Sequence, residues 1–508
     1  MAKQIRGAFA SGVWPEFKLE SRQTRLLIDF MKQKNLPVSN WEEVVAPHAH
    51  HYFAQSDAVG VQYPPGTGLA LAMFPQGEAV YRLNRMVVFG FAVIGVAVFV
   101  IAVLKRAWAS IGVVALPLSL GLMVLARLGA LTFSMNTVLV PILLTCLFCL
   151  FALRFKTANH DRLALLFALL AGICLGAATL IRLPSFLLAP GFLILLWPRF
   201  RDFRVSLPVA FALGATIAGI IPVLINQHDV AGAWYLSTYA SIDAAPPTLD
   251  RLGFNLAYFL GDGPGSVDNW ALVTSVVGFI GFLMLYLRRD LERFNGLGLS
   301  LQRLALAVFL LWIIPICYFL THRIVGAHYM ISSIFATAAL IGFGAFGIEL
   351  TSTLDQRFKP RRILSWVALV LILWPGVMPL KRVWTDRSLG PAPERASTHP
   401  PILLPSELVD DKAWIWADLL TGSLWYYATK PAFKIQFTDA ETRAMIFKFV
   451  FDRGERQYLI QDSEQMKKYI EEIEQLGAKL EPRGKVDGQP YFLVVWPSSG
   501  PSTTQAKR

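Results

Sequence analysis

The sequence predicts an α-helical polytopic membrane protein that carries a soluble α/β domain at its C-terminus. Three observations predict it. Of the 508 residues, 55% are hydrophobic and only 16% charged, with a mean hydropathy of +0.48, a balance that excludes a soluble assembly of this size. Apolar stretches of about 20 residues, enough to cross some 30 Å of hydrocarbon, recur between residues 86 and 380. Beyond them the pattern changes to short alternating strand and helix signals.

The chain divides into four stretches: an outer loop over 1–85, a membrane region over 86–382, a Pro-, Ser- and Arg-rich linker over 383–400 and an α/β domain over 401–508. Spans are expected near 86–104, 108–126, 134–153, 163–181, 183–197, 205–225, 271–287, 303–320, 325–350 and 363–380, about ten in all. Alternate loops hold the Lys and Arg residues, from Lys105/Arg106 to Arg357–Arg362, and these are assigned to the cytosol. The intervening loops, with residues 1–85 and the tail, are then extracytoplasmic. An outer segment of that length with no signal peptide is awkward to translocate, so the parity predicts a further span upstream of Met1 rather than a short N-out tail.

In the tail, strands are expected at Ala413–Ala417, Phe433–Phe437, Gln457–Ile460 and Tyr491–Trp496, with helices at Leu419–Ala428, Glu441–Phe451 and Ser463–Leu476. From Val383 onward there are 16 basic and 17 acidic residues, so the net charge of +12 belongs to the membrane half. That location points to cytosolic loops and away from nucleic acid. Cys146, Cys149, Cys174 and Cys317 all sit in apolar runs and read as packing residues rather than disulfides or zinc ligands.

The first chemistry-bearing stretch lies ahead of the spans. Apolar residues at Leu19, Leu26, Leu27, Phe30 and Met31 form one face of an amphipathic helix, expected to lie at the membrane interface. Glu20 heads it, with Glu16 just before. A carboxylate there is held as the anion by the helix dipole and can take a proton from an acceptor hydroxyl, although ordinary N-terminal helix charge is the simpler reading from position alone. Next, His48, His50 and His51 form a His-x-His-His cluster that can bind a divalent metal. No carboxylate follows at a regular helical spacing, so a polar loop lining a cavity is preferred and no metal ligand is assigned. Tyr63-Pro64-Pro65-Gly66 then fixes an abrupt turn at the membrane surface.

An acidic interfacial helix, an extended outer loop and Tyr63-Pro64-Pro65-Gly66 leading into a span resemble the opening of the GT-C membrane glycosyltransferases. The nearer branch is the family-39-like one that includes protein O-mannosyltransferases and lipid A aminoarabinose transferases. The Gly-rich stretch Gly172 to Pro184, Asn226-Gln227-His228 followed by Gly232, and Arg323 to Tyr329 are similar to further stretches of that family. Together they cover most of residues 14–350. The family usually carries Asp where this chain has Glu20 or Glu16; Glu is one methylene longer with a similar unperturbed pKa. Asp57, in the same loop, is the fallback.

The resemblance implies transfer of a sugar from a polyprenyl-phosphate donor to an acceptor hydroxyl at the extracytoplasmic face, with inversion and a carboxylate as general base. The acceptor is a glycan, lipid or protein. It implies Glu20, Glu16 or Asp57 as base, and Arg182, Arg323, His328 and Tyr329 at the lipid phosphate, where a bidentate Arg suits the growing charge. Tyr63, Pro64, Pro65 and Gly66 would shape the cavity. No nucleotide loop is present or needed, and a divalent metal is the one candidate cofactor. The loop from Gln227 to Trp270, with Asp229, Asp243, Asp250, Asp262 and Asp268 among aromatics, reads as facing substrate. In the tail, Thr421 to Tyr427 reads as a capped, buried helix start. Two other classes remain open: a transporter or flippase of a lipid-linked substrate, and a non-catalytic scaffold.

Overall fold

A computed structural model describes residues 17–19, 21–47, 50–62, 64–73, 133–197, 206–238, 247–260, 301–322 and 404–501, and all that follows concerns those residues. The spans expected at 86–104, 108–126, 271–287, 325–350 and 363–380, and the linker over 383–400, lie outside them. The architecture is mostly helical, with two small sheets.

The N-terminal segment opens with β1 (Lys18–Leu19), then α1 (Arg22–Gln33), α2 (Glu42–Val45), β2 (His50–Phe53), β3 (Ala58–Val61) and α3 (Gly66–Ala72). Its sheet runs β1-β3-β2, antiparallel throughout. Helix α1 starts where Ser21 accepts the Thr24 N–H, satisfying one of the donors a helix start leaves unpaired.

The apolar helices follow. Helix α4 (Phe133–Thr157) and α5 (Asp161–Ile181) form an antiparallel hairpin, α5 breaks at Arg182, and a 3-10 stretch (Leu183–Leu188) leads into α6 (Ala189–Leu196). Helix α7 (Ser206–Ala215) continues through a π turn (Thr216–Ile220) into α8 (Ile221–Ala231). The π turn ends two residues before Pro222, which has no N–H for the helical ladder; a one-residue expansion accommodates that loss. Short α9 (Leu252–Leu260) and long α10 (Leu301–Thr321) complete the set. Among the described residues, Val140–Thr157, Asp161–Ile181 and Leu207–Ala231 are long and apolar enough to cross a membrane, and Leu183–Leu196 and Phe309–Thr321 are shorter apolar helices. The expected spans at 134–153, 163–181, 183–197, 205–225 and 303–320 each fall on one of these helices. Cys146, Cys149, Cys174 and Cys317 are free, and Cys149 is buried in the helical core, as packing residues would be.

Helices α5 and α7/α8 meet through glycine. A β-carbon on Gly172 would fall 1.9 Å from the Phe211 carbonyl oxygen, and one on Gly176 would fall 2.8 Å from the Gly219 nitrogen. The Gly-rich stretch is therefore a seam for close backbone approach, the small-residue packing that apolar helices use.

The C-terminal region contains α11 (Ser406–Val409), β4 (Ala413–Trp416), α12 (Thr421–Ala428), α13 (Ala440–Asp452), β5 (Arg456–Ile460), α14 (Glu464–Gln475), β6 (Lys479–Val486) and β7 (Gln489–Val495). Its sheet runs β4-β5-β7-β6; β4 and β5 are parallel, the other pairs antiparallel. Two details differ from expectation. Phe433 makes a single parallel bridge to Trp416 and the chain then turns as a 3-10 helix over Ile435–Phe437, so no strand forms there. Strand β6 was not expected: its Lys, Glu, Arg, Pro and Gly residues suit an exposed edge, where charge and a bulge at Pro482/Gly484 deter further pairing.

A larger difference concerns α1. Of its buried face, Gln23, Thr24, Leu27, Ile28 and Met31, the apolar residues join a core that includes the C-terminal region, so this face meets protein and not lipid. Leu27, Ile28, Met31, Trp41 and Val44 share one core with Trp414, Trp416, Phe433, Phe447 and Val450. The Gln23 amide donates to the Asp411 and Ala413 carbonyls at 2.9 and 2.8 Å, Phe30 stacks on Phe449 at 4.2 Å, and Arg22 pairs with Glu455 at 2.8 Å. Buried in this contact, the Gln23 amide keeps its donors satisfied by these two carbonyls, so its burial against protein leaves no unpaired donor.

The N-terminal sheet also rests on the helices. The Ser56 hydroxyl donates to the Val230 carbonyl at 2.7 Å, and Phe17, Phe53 and Val61 pack with Val230 and Ala231. Thr248 N–H donates to the Thr321 carbonyl. The ends at Ile181, Ala231 and Thr321, the N-terminal segment and the C-terminal region thus gather at one end of the helices. Arg303, which donates to the Trp197 carbonyl, lies at the other.

Candidate functional site

At that gathered end, two places bear on the expected chemistry. The first is the corner between α3 and α5. Pro64, Pro65 and Gly66 are buried, and Gly66 begins α3 against the last turn of α5. A β-carbon there would fall 2.5 Å from the Leu180 carbonyl carbon and oxygen and 2.6 Å from the Ile181 nitrogen, so only glycine permits the contact. One residue further, Arg182 leaves the helix with φ −144° and ψ 109°, its N–H still bonded to the Ala178 carbonyl at 2.8 Å, and Ser185 closes the next turn onto the Arg182 carbonyl. Its side chain is half-buried. The turn and the end of α5, more than a hundred residues apart in sequence, are therefore brought together one residue short of Arg182.

The second is a cavity of about 350 Å³ beside the start of α1, lined by Leu19, Ser21, Arg22, Arg25, Asp57 and Val59 among others. Two guanidiniums and a carboxylate face it; Arg182 does not line it. Arg22 and Arg25 are site residues that the sequence motifs alone do not mark. Their signal is the spacing Ser21-Arg22-x-x-Arg25, which puts a capping hydroxyl and two cations on the first turn of one helix.

Asp57 sits in the β2–β3 turn with φ +49°, a conformation that Asp tolerates better than most residues. Its carboxylate accepts from Lys32 at 2.5 Å, Arg25 at 2.9 Å and the Tyr52 hydroxyl at 2.8 Å. Burial works to raise its pKa, but the bonds from Lys32 and Tyr52 and the nearby charges outweigh it and hold the carboxyl below its ordinary value. The same contact and burial push the Tyr52 phenol up. A carboxylate clamped by two cations is a weak base, and Asp57 serves here to tie the hairpin to α1. Glu16, Glu20, Tyr63, Arg323, His328 and Tyr329 lie outside the described residues. The residues on either side of Glu20, Leu19 and Ser21, both line the cavity.

His48 is likewise outside the described residues. His51 is buried, its Nδ1 has no partner, and its Nε2 is 3.9 Å from Glu42. Among the described residues no group of three His, Cys, Asp or Glu side chains could hold a metal ion. In the substrate-facing loop expected from Gln227 to Trp270, Asp229 and Asp250 are described and Asp243, Asp262 and Asp268 are not; His228 stacks on Trp234 at 4.3 Å. In the tail, the Asp462 carboxylate accepts the Asp418 and Leu420 N–H groups at the start of α12, and the Thr421 hydroxyl donates to the Asp418 carbonyl. The helix start is buried at Thr421 as expected, but its N-cap residue Leu420 makes no side-chain cap bond, and Asp462 braces the turn ahead of it instead.

His51 makes the joint between the N-terminal segment and the C-terminal region pH-sensitive. Burial pushes its imidazole below the ordinary value of 6.5, with Lys434 acting in the same sense and Glu43 against it. The unfolded chain therefore takes up the proton first, so stability is complete above about 6.5 and declines as the pH falls through the window below it. Glu42, raised from 4.5 by burial and by Glu43, acts oppositely just above 4.5. Melting curves between about pH 8 and 5 should show the decline, and His51→Gln should flatten it. An equal slope in that variant would assign the effect elsewhere.

No protein-family model matches the chain, and no curated protein matches its sequence.

Proposed function

We propose that this chain is a polytopic membrane glycosyltransferase of the GT-C type, moving a sugar from a polyprenyl-phosphate carrier to an acceptor hydroxyl at the extracytoplasmic face of a bacterial inner membrane. The observation that supports it best is the docking of the Pro64-Pro65-Gly66 turn against the final turn before Arg182. A rigid outer turn packed on the helix end that Arg182 follows suits a lipid-linked phosphate, because a guanidinium carried there could meet the charge that grows as the bond to the sugar breaks.

In this reading Glu20 is the general base. Asp57, the other carboxylate of this segment, is committed to Lys32 and Arg25 and is the poorer base. The base takes the acceptor proton as the hydroxyl attacks the anomeric carbon from the face opposite the phosphate, and polyprenyl phosphate leaves with the bonding pair. Arg182 and Arg323 receive the leaving phosphate. The N-terminal segment and C-terminal region form the outer side of the site.

Membranes holding the purified chain, given radiolabelled polyprenyl-phosphate sugar and candidate acceptors, should release polyprenyl phosphate. Glu20→Gln should lower that release by about 10²–10⁴-fold with the protein still folded. Unchanged release in the variant would remove Glu20 as base. Movement of the intact lipid-linked sugar across vesicles without cleavage would instead establish a flippase.

A further inference from the structure

Among the side chains described in the nine-residue helix α9, Asn255 is the one that can hydrogen-bond, and it is wholly buried. Its amide donates to the Phe319, Leu320 and His322 carbonyls at 3.2, 2.9 and 2.7 Å, covering carbonyls that the end of α10 leaves without helical partners. Three acceptors fix which way the amide points and pin α9 across that end. Thr248 adds a backbone bond to Thr321.

The other described residues of α9 are apolar or glycine and are exposed or half-buried. Gly253, Phe254 and Ala257 are exposed, Phe254 to 61%, and Leu249 just ahead is 79% exposed. Trp234 and Tyr235, which follow the end of α8 at Ala231 by a few residues, are 52% and 81% exposed. Residues 252–260 contain no charged side chain. At about 1.5 Å per residue the helix is some 13 Å long, far too short to cross a bilayer.

We infer that α9 and the Trp234–Tyr235 turn lie in the headgroup layer of the membrane that the apolar helices cross, with Phe254 and Leu249 toward the acyl chains and the two aromatics at headgroup depth. Continuity names the occupant: this surface starts where Leu207–Ala231 and Phe309–Thr321 end, so the lipid around those helices reaches it. Trp and Tyr collect at that depth because each has an apolar body and a polar tip. The apolar face of a helix lying in the interface plane is buried about 5–10 Å into the boundary. The tie through Asn255 makes the helix a brace that sets the depth of the α10 end.

The test uses the full chain in nanodiscs of phosphatidylethanolamine and phosphatidylglycerol, with p-benzoylphenylalanine incorporated separately at Tyr235, at Phe254 and, as control, at Lys485 on the exposed edge strand. Illumination should give phospholipid adducts by mass spectrometry at the first two positions, several-fold above the control. Adducts to a second copy of the chain, or lipid yields no higher than at Lys485, would overturn the inference. Neither result depends on transferase activity.

Discussion

Leu27→Ala should destabilise the C-terminal region by about 2–5 kcal/mol, although the two are almost four hundred residues apart in sequence. Leu27 is wholly buried in the core that α1 shares with Trp414, Trp416 and Phe447, so truncation leaves a cavity between the two parts of the chain. Gln23→Ala should add to the effect, since it takes the Gln23 donor from the buried Ala413 carbonyl, at about 1–3 kcal/mol for a buried acceptor. The measurement is limited proteolysis of the full chain, following cuts within 404–501. Leu27→Ala should expose sites there that the parent protects, while Lys34→Ala, at the exposed end of the same helix, should stay within about 0.5 kcal/mol of the parent. Full protection in Leu27→Ala would mean that the C-terminal region stands alone.

Gly172→Val should be the most damaging single change among the apolar helices. The added β-carbon would meet the Phe211 carbonyl oxygen at 1.9 Å, its carbon at 2.8 Å and the Ala215 nitrogen at 2.9 Å. All three are backbone atoms, which cannot rotate aside, so α5 and α7 must separate. Overpacking of this kind costs about 1–3 kcal/mol, occasionally more, and the lost contact runs the length of the seam through Gly176, Gly214 and Gly219. Gly253→Ala is the control, because nothing lies within 4 Å of its added carbon and alanine favours the helix by about 0.8–1 kcal/mol. Thermal unfolding in detergent should separate the two variants in opposite directions. A Gly172→Val protein that melts with the parent would show that the helices do not pack as described.

The helices were legible where one physical rule dominates. A run of apolar residues long enough to span hydrocarbon leaves little choice but helix, and Asp161–Ile181 and Leu207–Ala231 follow that rule. In the tail, Ser463 and Asp439 announce α14 and α13 by accepting the Met466 and Thr442 N–H groups. Strand β6 was hidden because an exposed edge strand has no apolar alternation to read. The segment over Phe433–Phe437 had the composition of a strand, but its extended part ends after one bridge.

The candidate site was legible as residue types and not as groupings. Asp57 in an outer loop has a carboxylate's chemistry in any fold; only the return of Lys32 and Arg25 from α1 and of Tyr52 from β2 makes it a clamp. The Gly172–Gly176 pattern read as a family signature, and its physical content, backbone meeting backbone, needed α7 and α8 in place.

By itself the sequence determined the apolar helices, the alternating strands and helices of the tail, and the amphipathic character of residues 22–33, because these depend on spacing within a few turns of chain. Only the tertiary structure decided what covers that amphipathic face, which residues surround Asp57, and that Gly66 rests on the turn before Arg182. A hydrophobic periodicity specifies that a face must be buried and says nothing of what buries it. The partner is chosen by shape and by acceptors, here the Asp411 and Ala413 carbonyls for Gln23, and those are properties of the folded chain alone.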